Sequence, residues 1–231
     1  MNAGTLCGIL EEKDRVRYAD FIVPLRTGQA SIHHLSEHGL VIAQAYSASA
    51  VCFPKGNAAE LARHLPRGKR SLSIHGSKLR AAVEAQTGES LSLITAQYVY
   101  VKSEVDLSVP SSCSFRVLTV KDKDLVTEHY HLVNESIITS YLRNGQITGL
   151  EAGGRLVGFI GVHYGGSMGI LEVFPGQRRH GFGELLERYL ISSQISKGLI
   201  PYCHIVDGNV RSMLLQKKLG LIADSLPVYW N

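Results

Sequence analysis

Two glycines and two arginines stand close enough together in this chain to hold a phosphate or pyrophosphate. They lie in the run 171–186. There a short apolar segment, Leu171, Glu172, Val173 and Phe174, stops at Pro175 and turns through Gly176, Gln177, Arg178, Arg179 and His180. Gly181, Phe182 and Gly183 then lead into Glu184, Leu185 and Leu186, where helical amphipathic spacing begins. Glycines at a helix start leave backbone N–H groups bare, and the helix N-terminus adds unpaired donors and the positive end of its dipole. Arg178 and Arg179 add charge beside them. The amides of residues 179–183 can wrap a pyrophosphate, and Gly181 and Gly183 permit its close approach.

The whole chain narrows the setting. At 231 residues it can bury a full core as one large domain or two small ones, and 45% hydrophobic with 19% charged residues describes a globular protein. Residues 1–110 and 111–231 each carry twelve Lys+Arg against ten Asp+Glu, so the net +4 is not gathered into a basic stripe. No nucleic-acid partner is expected. The longest weakly polar run, 39–52, is too short to span a bilayer, and no membrane partner is expected. Cys7, Cys52, Cys113 and Cys203 are scattered, which suits buried thiols in a reducing compartment, and the start of the chain has no signal-peptide pattern. A cytoplasmic protein is the expectation. His33, His34 and His38 are close, and the last two would share a face if 33–38 were helical, but nothing in their spacing demands a metal.

The elements that position the loop follow from periodicity and turn residues. In the first half, 21–25 reads as a short strand or packed turn, and 39–53 as two β segments broken near 46–49. A helix over 58–65 starts at Asn57, a strand over 72–76 runs into a helix over 78–86 capped by Ser77, and 91–102 returns to β character. The Ser- and Pro-rich stretch 108–114 reads as a connector between an α/β half, 1–110, and a second domain, 115–231. That domain opens on a strand at 115–118, followed by helices near 125–134 and 136–143. A strand over 147–152 turns at Gly153 and Gly154 into another over 155–164, and 168–174 forms the next. After the loop come a helix over 184–196, a strand over 200–206, a helix over 210–218 closed by Gly220, and a last β segment over 226–230.

This order, with the loop at its centre, resembles the GNAT superfamily of acyl-CoA-dependent N-acetyltransferases over about 115–231. The superfamily's Arg/Gln-x-x-Gly-x-Gly/Ala signature, after a strand ending Val-x-Pro, is met by Val173, Pro175, Arg178, Gly181 and Gly183. A second block is met by Asn209, Ser212, Lys218, Leu219 and Gly220. The run 198–204, the terminal Tyr229 and Trp230, and an α/β half placed first look like the glycine N-acyltransferase-like group. The implied fold class is α/β, an α+β mixed sheet: a GNAT-like catalytic domain preceded by a smaller, degenerate GNAT-like half.

The resemblance also implies a chemistry. Acetyl-CoA, or another acyl-CoA, would be the co-substrate, held by Val173, Phe174, Arg178, Arg179, His180, Gly181, Phe182 and Gly183, with Asn209 and Ser212 as further contacts. No metal is called for. The pantetheine amides would pair with the free edge of strand 168–174, and the Val173 or Phe174 N–H would polarise the thioester carbonyl. The acceptor would be a small-molecule amine or amino acid attacking directly. Candidate bases are Glu172 and His204, whose sides of the sheet a one-residue slip would reverse. Many members carry a Tyr four residues before the Gly220 position to protonate the departing thiolate. Here Gln216 stands there and cannot act as an acid, which leaves solvent, Tyr202 or Tyr229. Such a chain could instead bind acyl-CoA without turning it over, and a homodimer stays open.

One competing signature is present. Gly165, Gly166, Ser167, Met168 and Gly169 fit the Gly-x-Ser-x-Gly elbow of α/β hydrolases, but a strand follows where a helix is required, and no His follows Asp207 or Asp224. The expectation is a hairpin turn, and Cys203 is expected to be an unreactive strand thiol.

Overall fold

The computed structural model describes residues 1–68 and 71–231. In chain order the first elements are α1 (Ala3–Asp14), α2 (Ala19–Arg26), β1 (Ser31–Ser36), β2 (Gly39–Ala43), β3 (Ser47–Cys52), α3 (Ala58–Ala62), β4 (Ser71–His75), α4 (Ser77–Thr87) and β5 (Leu93–Val99). There follow β6 (Cys113–Val117), α5 (Lys123–His129), α6 (Glu135–Arg143), β7 (Ile147–Ala152), β8 (Arg155–Val162), β9 (Met168–Val173), α7 (Phe182–Ser196), β10 (Tyr202–Val206), α8 (Val210–Leu219) and β11 (Ile222–Trp230). Helices and strands fall close to where the periodicity puts them, with the exceptions given below. They sort into two compact units: Met1–Val101 together with Tyr202–Asn231, and Lys102–Pro201.

The first unit is built on a sheet in the order β1-β2-β3-β4-β11-β5-β10, antiparallel except for the parallel β3–β4 pair. The expected continuous domain 115–231 is therefore divided. Its last strand lies between β4 and β5, with Val228 opposite His75 on one side and Thr95 on the other, and β10 pairs along β5. Periodicity says that β11 is a strand but not which strands accept its hydrogen bonds, so the boundary placed at 108–114 misses this return of the chain.

One face of this sheet packs Val41, Leu61, Leu72, Ile74, Leu79, Val83 and Tyr229. Two helices that the sequence does not announce belong to the same unit. α1 is capped by Asn2, whose side chain accepts from the Thr5 amide. α2 takes up the segment expected as a strand or turn, and it is buried from Ala19 through Leu25. A five-residue apolar run carries no period that separates strand from helix, and burial on all sides decides it. The histidines at 33–38 lie on β1 and the turn after it, so His34 and His38 share no helix face. His34 instead stacks on His64 with ring centres 3.7 Å apart. Among the described residues no group of three or more His, Cys, Asp or Glu side chains is arranged to hold a metal ion, and no helix is long and apolar enough to cross a membrane.

The second unit is a four-stranded antiparallel sheet, β6-β7-β8-β9, with α7 packed on β8 and β9. A core of Leu118, Val126, Ile138, Leu142, Ile147, Phe159 and Ile170 joins it to α5 and α6. The Gly165–Ser167 region is a tight hairpin turn with Gly165 and Gly166 at positive φ and the His163 amide on the Ser167 carbonyl, so no nucleophile elbow exists.

Because β11 is an interior strand, its removal should split the first unit's sheet. Deleting residues 222–231 is expected to abolish the cooperative thermal transition of that unit and to expose the β4 and β5 amides to rapid hydrogen exchange. Retained protection in both strands would contradict the topology.

Candidate active site

β9 is an edge strand, and its register decides what that edge offers. Gly158 pairs with Val173 and Phe159 with Glu172, and the Phe174 amide donates to the Val157 carbonyl at 3.0 Å. Hydrogen-bonded pairs alternate along an antiparallel ladder, so Val173 belongs to a pair whose N–H and C=O point away from β8. Of the two amides expected as oxyanion donors, Phe174's is thus occupied within the sheet, and Val173's faces the open edge. The Phe174 side chain turns into the core, 4.2 Å from the His129 ring centre and 6.1 Å from that of Phe159.

Upstream, the ladder is bulged. One residue lies between Phe159 and Gly161 on β8, while two lie between Gly169 and Glu172 on β9. The extra residue is accommodated with Ile170 at φ 54°, a conformation that a β-branched side chain reaches only under constraint. Three contacts supply that constraint. The Ile170 side chain is buried in the core, its backbone amide bonds the Tyr130 hydroxyl, and the His163 ring lies directly over Gly169 where a Cβ would stand. Farther along, a Cβ on Gly158 would collide with the Glu172 carbonyl, so β8 and β9 meet closely at the candidate site.

The loop after β9 is held from within. Arg178 folds back along its own strand, its Nε donating to the Val173 carbonyl at 3.0 Å and its Nη2 to Glu172 Oε1 at 2.9 Å. The Glu172 carboxylate, expected as a candidate base, is therefore a tether for the loop, and the exposed Arg178 guanidinium is paired with it. Arg179 and His180 are exposed. Arg179 at φ 70° and Gly181 at φ 81° adopt left-handed backbone, which curls the chain so that successive amides converge. Gly181 is the N-cap of α7 and has no side chain to cap it, and Glu184 in the first turn is engaged by Arg188. Among the described residues, the N–H groups of Arg179, His180, Gly181, Phe182 and Gly183 have no backbone or side-chain acceptor. A curl of amides at the start of a four-turn helix, with Arg179 beside it, fits a diphosphate.

A cluster that sequence reasoning misses stands where α6 meets the β8–β9 turn. Tyr141 Oη stands 3.3 Å from His163 Nδ1, and Ser140 Oγ stands 2.5 Å from Tyr164 Oη. Burial pushes His163 down to about 4 and Tyr141 up to about 12, so both are neutral near pH 7. Gly169 inside a strand pattern is the one local signal of a close approach there.

The remaining expected residues lie in the first unit. His204 is on β10, opposite Gln97 of β5, with Nε2 3.7 Å from Asp20 Oδ2 and its ring edge-on to Trp230. Asn209 caps α8 by accepting from the Ser212 amide at 3.2 Å, so both residues have a structural task. Gln216 is buried on α8. Tyr202 is buried, and its hydroxyl is pushed well above the usual range, by desolvation first and then by Asp20. Tyr229 lies in the core under the Arg80 guanidinium, 4.7 Å from its ring centre. Neither tyrosine is placed as an accessible proton donor. Cys203 is a buried free thiol.

Comparison with known proteins bears on this geometry. The family model for FR47-like protein matches residues 147–230, from β7 through β11. No curated protein matches by sequence. Among solved structures, a Drosophila protein is similar over 99% of this chain and 94% of its own, at 16% identity and a TM-score of 0.67. A GCN5-related N-acetyltransferase from Kribbella flavida matches over 94% and 93%, at 12% identity and a TM-score of 0.62. A tandem GNAT protein from the clavulanic acid biosynthesis pathway matches over 99% and 94%, at 18% identity and a TM-score of 0.51. The chain has the GNAT fold. The tandem relative agrees with a GNAT-like domain preceded by a smaller half.

Two measurements probe the support behind β9. Gly169→Ala should destabilise the protein by about 1–3 kcal/mol, because the new Cβ displaces the His163 ring, and urea unfolding reads this. The low folded-state pKa of His163 means that the unfolded chain binds the extra proton. Its contribution is therefore full above about pH 6.5 and is lost as pH falls towards about 4. Stability measured across that window should fall in the wild type and fall less in His163→Gln.

Proposed function

We propose that the protein is an acyl-CoA-dependent N-acyltransferase of the GNAT superfamily, transferring an acyl group, acetyl in the simplest case, to the amine of a small molecule or amino acid. The observation that carries this reading is the continuity of the β9 edge with the loop. An outward Val173 N–H is followed within ten residues by a curl of unpartnered amides. A pyrophosphate on the curl and a pantetheine arm along the edge would set a thioester carbonyl against the Val173 amide. The resemblance of 198–204 and of Tyr229–Trp230 to the glycine N-acyltransferase-like group puts amino-acid acceptors first. The free cysteines fit a cytoplasmic setting.

In the reaction, the neutral amine attacks the thioester carbon, and negative charge collects on the carbonyl oxygen against the Val173 N–H. The C–S bond then breaks as the amide forms, the thiolate leaves, and the nitrogen proton passes to a base. Glu172, one of the two expected bases, is committed to Arg178. With Gln216 buried and both tyrosines enclosed, the thiolate takes its proton from solvent. That same enclosure favours one other reading, an acyl-CoA-binding protein without turnover.

Thiol release from acetyl-CoA over a panel of amino acids and small amines tests the proposal. Turnover with at least one acceptor is expected, whereas calorimetric CoA binding with no turnover for any amine selects the sensor. Val173→Pro removes the outward N–H, together with the valine side chain, and leaves the β8 ladder's hydrogen bonds intact. It should lower kcat by about 10²–10³-fold, the usual cost of a lost oxyanion donor, with little change in CoA affinity.

A further inference from the structure

Two consecutive residues at the end of α5 meet the β9 segment, at positions that bracket Val173. The Tyr130 hydroxyl accepts a hydrogen bond from the Ile170 amide, at the bulge. His129 lays its ring against that of Phe174, with ring centres 4.2 Å apart. Phe174 directly follows Val173, about 3.8 Å on along the backbone. An imidazole of the second unit is thus packed on the neighbour of the outward amide.

His129 is held in one defined pattern of donor and acceptor. Its Nδ1 stands 3.0 Å from the Leu125 carbonyl oxygen, one helical turn back. A carbonyl oxygen only accepts, so Nδ1 carries the hydrogen, and in the neutral ring the lone pair is on Nε2. Among the described residues nothing pairs with Nε2, and that atom is not sealed from solvent. The residue as a whole is half-buried. One nitrogen fixed as a donor and the other available as an acceptor is the form that a general base takes. Three other groups of the second unit suit that task less well. Glu172 is paired with Arg178. Burial holds His163 at about 4, and its Nδ1 faces the Tyr141 hydroxyl. His180 is exposed on the loop whose amides fit a diphosphate.

We propose that His129 is the general base of the acyl transfer, taking the amine's proton at Nε2 while the Leu125 carbonyl fixes the ring through Nδ1. The inference rests on the acyltransferase reading above. As the C–N bond forms at the thioester carbon, the nitrogen proton moves to Nε2, and the imidazolium then carries hydrogen on both nitrogens. Its Nδ1–H bond to the Leu125 carbonyl becomes charge-assisted and stronger, which favours the transfer. The C–S bond breaks, the thiolate takes a proton from solvent, and His129 returns its own to solvent. Amine and thioester give amide and thiol, with no net change on the protein.

The test joins kinetics to a spectroscopic signature, both on the full chain. With an acceptor found in the thiol-release panel, His129→Ala and His129→Phe should each lower kcat by about 10²–10⁴-fold, while CoA affinity stays as in the wild type. Added imidazole should restore part of the activity of His129→Ala, which the loss of a merely structural ring would not allow. His129→Phe keeps a ring against Phe174 and serves if the alanine variant fails to fold. Nitrogen-15 NMR of histidine-labelled wild type should show the neutral His129 ring protonated at Nδ1. Full kcat in either folded variant, or a neutral ring protonated at Nε2, overturns the inference. A low kcat in folded His129→Ala that imidazole does not raise assigns the ring a structural role and overturns it as well. If the wild type turns over no amine, the proposed function fails and this inference falls with it; turnover by wild type and variants alike sinks this inference alone.

Discussion

The structure turns on an unpaired strand edge. β9 offers outward N–H and C=O groups, a feature that proteins ordinarily cover or blunt because it invites pairing with other chains. Here the carbonyl of Val173 is taken by Arg178, while its amide is left facing outward. The bulge at Ile170 fixes which amides face out, since one extra residue changes the pairing phase of everything after it. Tyr130, His163 and the core around Ile170 hold that bulge in a backbone state that isoleucine would not adopt unaided.

The ion pair of Arg178 with Glu172 serves the same edge. Sequence spacing presents Arg178 as a phosphate ligand and Glu172 as a base, and both assignments look natural for residue types of that kind. Folding gives them to each other. What remains outward is the backbone itself, curled by Arg179 and Gly181 in left-handed geometry. Anion recognition then depends more on amide direction than on side-chain charge, and a glycine N-cap suits this because it places no side chain of its own over the helix amides.

The first unit shows how much one returning strand can change. β11 enters between β4 and β5, and β10 adds to the far edge of β5, so residues remote in sequence come to share one buried face. Through that pairing His204 on β10 and His75 on β4 both come to Asp20 of α2. A single acidic residue within an apolar helix looks like a solvated position in the sequence. In the fold it is a buried carboxylate between two imidazoles.

What the chain determined by itself was local. The glycines and the strand–loop–helix order around residues 171–186, most of the strands and helices, the hairpin at Gly165 and Gly166, and the mixed α/β class follow from period, turn residues and caps, which act over a few residues. Asn209 and Gly220 likewise marked the ends of α8. What the tertiary structure decided was pairing and direction: that Val173 rather than Phe174 faces outward, that Glu172 tethers Arg178, that α2 is a helix, and that β11 belongs with the first half. Strand registry and burial are set by contacts between distant segments. A one-residue shift in registry exchanges the faces of a whole strand without altering a single local preference.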